Sequence, residues 1–98
     1  RVADFLKLPA GGQVAGISLV ERTLTKVPGI EQMQLVQDAL DHVIINRVKG
    51  QDFNEHTDTG LISAMREVFD DSVELEIKDV SNIPQEASGK YRFSICKV

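Results

Sequence analysis

The chain has 98 residues, 42% hydrophobic and 27% charged, with a formal net charge of −4 and one cysteine. That length supports one packed core rather than two, and the acidic balance argues against a nucleic-acid backbone or an anionic membrane as partner, since both select a basic face. Cys96 alone forms no internal disulfide and supplies too few thiolates for a metal site, which points to a reducing, cytoplasmic compartment.

Phe5, Leu6 and Leu8 make a short strand-like run that ends at Pro9; residues 9–12 supply turn formers, and Val14 and Ala15 make the returning arm of a small hairpin. From Ile17 the period becomes helical, with Ile17, Val20, Leu24 and Val27 on one stripe. Ser18 and Glu21 match a capping box, Lys26 suits the negative end of the helix dipole, and Pro28-Gly29 stops the helix. Ile30–Gln37 and Asp41–Lys49 read as two strands of an antiparallel hairpin, turning at residues 38–40. In the second strand Val43, Ile45 and Arg47 share one face, and His42, Ile44, Asn46 and Val48 the other.

Residues 50–56 are a polar loop, after which Thr57 or Asp58 caps a second helix carrying Leu61, Ile62, Met65, Val68 and Phe69 at helical spacing. Val73, Leu75 and Ile77 then alternate with Glu74, Glu76 and Lys78 as a half-buried strand. The order predicts an α+β, ferredoxin-like βαββαβ fold with a small N-terminal hairpin, its antiparallel sheet covered on one face by two helices. It divides into hinge and hairpin (1–16), core (17–80), and a loop with a C-terminal tail (81–98) within one domain.

The chemistry-bearing residues form no complete catalytic site. Asp52, Asn54, His56 and Asp58 alternate like the first ligands of a calcium loop, but Thr57 stands where that loop needs glycine and Ser63 where it needs glutamate. The stretch reads as a helix start, and no metal is expected. His42 and His56 lack a partner at ligand or nucleophile spacing. Gln32, Gln34 and Gln37 read as the solvent face of a strand, and Cys96 is given no chemistry. Lys90 follows Gly89 in a run without packing residues; alone, it reads as a solvated loop lysine.

Two separated stretches change that reading. Arg1-Val2-Ala3-Asp4-Phe5-Leu6-Lys7 resembles the hinge motif of adenylate-forming enzymes, Gly-Arg-x-Asp-(Asp)-x-x-Lys. Pro84-Gln85-Glu86-Ala87-Ser88-Gly89-Lys90 resembles the last motif of the same superfamily, Pro-x-x-x-x-Gly-Lys. They lie at the two ends of the chain, as they do in the C-terminal lid domain of those enzymes. Asp4-Phe5-Leu6, Leu8-Pro9 and the stretch from Val27-Pro28-Gly29-Ile30 to Gln37 are most similar to the phenylacetate-CoA ligase and CapK-like branch.

The resemblance implies an AMP-forming, carboxylate-activating ligase. Lys90 would be the catalytic lysine of adenylation, supported by the freedom of Gly89; Arg1 would contact the nucleotide, and Ala3 or Asp4 would be the hinge about which the lid rotates between adenylation and thioester formation. ATP with magnesium, and coenzyme A as the usual acceptor, would bind the whole enzyme and not the isolated domain. The partner would be an N-terminal adenylation domain of the same chain, which opens here on Arg1 without an initiator methionine, and the substrate a small carboxylate. Ala3 replaces the first acidic hinge residue, and Pro9-Ala10-Gly11-Gly12 departs from the usual Arg-Gly loop, which leaves the acceptor open. The rival reading is a non-catalytic ferredoxin-like module for ligand binding or dimerisation.

Overall fold

The computed structural model describes residues 4–83 and 92–98. In chain order these form β1 (Phe5–Lys7), β2 (Gln13–Ala15), α1 (Gly16–Lys26), β3 (Ile30–Ala39), β4 (His42–Lys49), α2 (Thr57–Arg66), β5 (Glu74–Asp79) and β6 (Ser94–Cys96). β1 and β2 make a two-stranded antiparallel sheet, and the other strands a sheet in the order β5-β4-β3-β6. The α+β, ferredoxin-like arrangement is present, but the sheet is mixed rather than antiparallel. Only β3 and β4 run antiparallel; β5 lies parallel to β4, and β6 parallel to β3. The reason is connection length: a tight turn reverses the chain between β3 and β4, whereas the crossover through α2 returns it in its original direction.

Alternation decides what faces the helices. Met33 and Leu35 of β3 and Val43 and Ile45 of β4 are fully buried, in one cluster with Leu19 and Val20 of α1 and Leu61, Ala64 and Met65 of α2. Each such side chain contributes about 1.5–3 kcal/mol on burial. Leu6 of β1 joins the same cluster, so the hairpin is packed onto the body. The opposite sheet face carries Gln32, Gln34, Val36, His42, Ile44, Asn46 and Val48.

Both helix starts differ from expectation. α1 begins at Gly16, so Ser18 and Glu21 lie inside the helix and form no capping box; the residue before it, Ala15, makes no side-chain cap. A tertiary contact sets the start instead, since the Gly16 N–H donates to the Asp4 carbonyl at 3.2 Å. Pro28-Gly29 ends the helix as predicted, and Gly29 takes the positive φ of +94° that glycine allows. At α2 neither Thr57 nor Asp58 is the cap: His56 holds that position without a side-chain bond. Thr57 Oγ1 accepts from the Asn54 N–H and donates to the Pro28 carbonyl, tying the loop to the end of α1. α2 stops at Arg66, and the turn after it carries Phe69 into the core through its N–H bond to Met65.

Candidate functional site

Among the residues named from the sequence, Asp4 is described, whereas Arg1, Ala3, Gly89 and Lys90 lie outside the described residues. Asp4 is held at the edge of β6 by both its backbone and its side chain. Its N–H donates to the Ser94 carbonyl at 3.2 Å, and its carbonyl accepts from the Ser94 hydroxyl at 2.6 Å. One carboxylate oxygen accepts from the Arg92 guanidinium at 2.6 Å and from the Cys96 N–H at 2.9 Å. The hinge-like opening therefore meets Arg92 and Cys96 of the C-terminal segment at one carboxylate. Gly16 makes the junction possible, because a Cβ there would fall 1.8 Å from Ser94 Oγ.

The three glutamines of β3 are not simply a wet face. Gln37 lies an odd number of residues from Gln34, so it points inward and is fully buried. Its amide accepts from the Lys7 N–H at 2.7 Å and donates to the Lys7 carbonyl at 2.8 Å, which fastens β1 as a strand neighbour would. On the outer face, Gln34 Nε2 donates to the Arg92 carbonyl at 2.9 Å, and Gln32 Oε1 accepts from the Ile83 N–H at 3.3 Å. Asn46, opposite Gln34 on β4, donates to Gln34 Oε1 at 3.2 Å. Cys96 is a free thiol, half-buried, with its sulfur 3.6 Å from Gln37 Oε1.

Two charged clusters lie elsewhere. Arg47 points inward with Val43 and Ile45 and is 2% exposed. Its guanidinium donates to Asp79 at 2.9 Å from Nε and also pairs with Asp58. Phe53 lies under it, ring centroid 4.9 Å away, and Lys49 stands 4.6 Å from the same ring. Burial works against the guanidinium charge, but the two carboxylates outweigh it and raise its pKa. At the other end of the sheet, His42 Nδ1 lies 2.6 Å from Asp38 and Nε2 3.1 Å from Glu76. The hydrogen bond to Asp38 is the chief cause of a raised imidazole pKa, and Asp38 is lowered in turn.

Of the calcium-like series, Asp58 serves Arg47 and Asn54 Oδ1 accepts from the His56 N–H. Among the described residues no three His, Cys, Asp or Glu side chains are placed to hold a metal. No helix there is long and apolar enough to cross a membrane.

What remains is a small α+β body in which Asp4 and the segment 92–98 meet at one edge. The family model for the CapK C-terminal domain matches residues 7–97. The chain belongs to that family. The CapK C-terminal match takes in all the described strands and helices except most of β1, together with the Pro84–Lys90 stretch, while Arg1–Leu6 precede it. No curated protein and no solved structure matches this CapK C-terminal domain significantly.

The sequence signalled Asp4 through the hinge-like motif. It gave no sign of Arg92, Gln34 or Gln37 as structural partners, because the contacts of Gln37 with Lys7, Gln34 with Arg92 and Arg92 with Asp4 span 30 or more residues. The inward direction of Arg47 was readable from alternation; its carboxylate partners were not.

Proposed function

We propose that this CapK C-terminal domain is the lid of an AMP-forming, carboxylate-activating ligase. The supporting observation is the junction at Asp4: a residue of the hinge-like opening binds Arg92, immediately downstream of the Pro-x-x-x-x-Gly-Lys stretch. Rotation about a hinge at the chain's opening would carry with it the sheet edge at which Asp4 meets Arg92 and Cys96.

In the first step a substrate carboxylate oxygen attacks the α-phosphorus of ATP, and pyrophosphate leaves. Lys90 supplies a compact positive charge to the carboxylate and phosphate oxygens as negative charge builds in the transition state. In the second step a thiol, with coenzyme A the usual member of its class, attacks the acyl carbon and AMP leaves. Arg1 contacts the nucleotide. The carboxylate pocket and the ATP loop belong to an adenylation domain upstream of Arg1.

The test is ATP–pyrophosphate exchange in the full-length protein, with a panel of aryl and aliphatic carboxylates. Lys90→Ala lowers exchange by about a hundredfold or more, the scale of losing one charge-stabilising group, and leaves the unfolding midpoint unchanged. Undiminished exchange overturns the role given to Lys90. The sequence upstream of Arg1 is the cheaper check: a different kind of domain there removes the ligase reading.

A further inference from the structure

We infer that β5 pairs edge to edge with the β5 of a second copy of this chain, antiparallel about a two-fold axis at Ile77, joining two four-stranded sheets into one. The inference stands apart from the ligase reading. Among the described residues β5 ends the sheet, with β4 on one side and no strand on the other. Its six residues, Glu74-Leu75-Glu76-Ile77-Lys78-Asp79, run beside β4 in unbroken parallel register from His42↔Glu74 to Arg47↔Asp79. The Glu74 N–H donates to the Asp41 carbonyl at 2.7 Å and the Val80 N–H to the Arg47 carbonyl at 2.9 Å, so the even-numbered residues turn their backbone groups to β4. The odd-numbered ones, Leu75, Ile77 and Asp79, present theirs along the outer edge.

The side chains select both the occupant and the register. In a two-fold antiparallel pair, opposite charges directly across from each other stabilise and like charges destabilise. Centring the pair on Leu75 sets Glu74 against Glu76 twice; centring it on Glu76 or on Lys78 sets that residue against its own copy. Centring it on Ile77 sets Glu76 opposite the second copy's Lys78 at both symmetric positions, and Ile77 meets Ile77. Within one chain the two charges are only loosely joined, Lys78 Nζ lying 3.8 Å from Glu76 Oε2, beyond hydrogen-bond reach, with side chains 52% and 43% exposed. Leu75 and Ile77 pack against the core but stay partly exposed at the edge, where the second strand covers them. Charged residues ordinarily keep sheet edges from pairing; this order of charges opposes three self-registers and admits one. With six residues a side the interface is small, so the dimer is weak and reversible.

Analytical ultracentrifugation of the full-length protein over a concentration series tests this. The wild type passes from monomer to dimer as concentration rises. Glu76→Lys and Lys78→Glu each set like charges opposite each other at both symmetric positions and raise the dimer Kd roughly tenfold or more. Mixed one to one, the two variants associate as the wild type does, because each supplies the charges that the other lacks, and the double variant Glu76→Lys/Lys78→Glu regains dimerisation by itself. Thermal unfolding of the same samples shows each variant folded, as expected for half-exposed side chains. A wild type that stays monomeric, or single variants that associate like the wild type, overturns the pairing. Folded single variants whose mixture stays monomeric overturn it as well, since the complementarity at Glu76 and Lys78 is what selects the second copy.

Discussion

The buried amide of Gln37 closes two hydrogen bonds on the backbone of Lys7, accepting from its N–H at 2.7 Å and donating to its carbonyl at 2.8 Å. Among the described residues β1 pairs only with β2 through a backbone ladder, so this side chain does for the hairpin what an adjacent strand would do. Gln37→Leu is close in size but strands both Lys7 groups. The expected loss is about 1–3 kcal/mol, the cost of leaving polar groups at a part-buried contact without partners, read as a lower urea midpoint with an unchanged m-value. A change below the error of that measurement refutes the fastening.

Arg47 is 2% exposed, whereas its partners Asp58 and Asp79 are 58% and 48% exposed. One carboxylate suffices to compensate the guanidinium, with water completing the rest. Asp58→Ala or Asp79→Ala alone therefore costs about 1 kcal/mol, as half-exposed ion pairs do. The double variant leaves a buried charge unpaired and costs about 3–5 kcal/mol. Urea unfolding of the two single variants and the double variant checks this; strictly additive losses show that the two carboxylates do not share one buried charge.

The elements themselves were legible because their signals are local. Alternation at Val73, Leu75 and Ile77, and helical spacing at Leu61, Met65 and Phe69, each reflect one face meeting a core. What was not legible is non-local. A glutamine on a strand reads as polar surface until the segment opposite it is known, and Gln37 and Lys7 are 30 residues apart. The capping box at Ser18 failed for the same reason, since the bond from Gly16 to Asp4 starts α1 two residues earlier. Strand direction was misjudged because it depends on where a long crossover delivers the chain, and β6 is only three residues long. Of the candidate site, the opening motif marked Asp4, but nothing near it in sequence indicated Arg92.

His42 sits between Asp38 on β3 and Glu76 on β5, with Glu74 also acting on it; Lys97 acts on Asp38, and Lys78 lies 3.8 Å from Glu76. The Asp38 hydrogen bond first, and then the neighbouring carboxylates, raise the imidazole above its ordinary 6.5. A raised folded pKa means a contribution fully present below 6.5 and lost as pH rises through the folded value. Asp38 is lowered from 3.8, so its contribution is present above 3.8 and lost as pH falls through its folded value. Together they place the strongest clasp between those limits. Thermal unfolding of the wild type therefore shows a midpoint that falls from pH 6 to pH 9, and His42→Gln removes that slope. An unchanged slope in His42→Gln assigns the pH dependence to other groups.

Gly16 begins α1 where alanine has the better helix propensity, so propensity alone predicts that Gly16→Ala stabilises the protein. Packing predicts the reverse. The added Cβ would lie 1.8 Å from Ser94 Oγ, 2.3 Å from Ser94 Cβ and 2.8 Å from the Asp4 carbonyl, all closer than atoms tolerate. Two of those atoms belong to the Asp4 junction, so relief requires β6 or the entry to β1 to move. The expected outcome is a loss of about 1–3 kcal/mol, typical of overpacking, accompanied by faster hydrogen exchange at Cys96, whose N–H is held by the Asp4 carboxylate. Ser94→Ala does not restore stability, because the Ser94 Cβ is itself in the way; Ser94→Gly removes both side-chain clashes but leaves the 2.8 Å approach to the Asp4 carbonyl, so it restores stability only in part. A stabilised Gly16→Ala, with Cys96 exchange unchanged, refutes the close approach of α1 to the Asp4 junction.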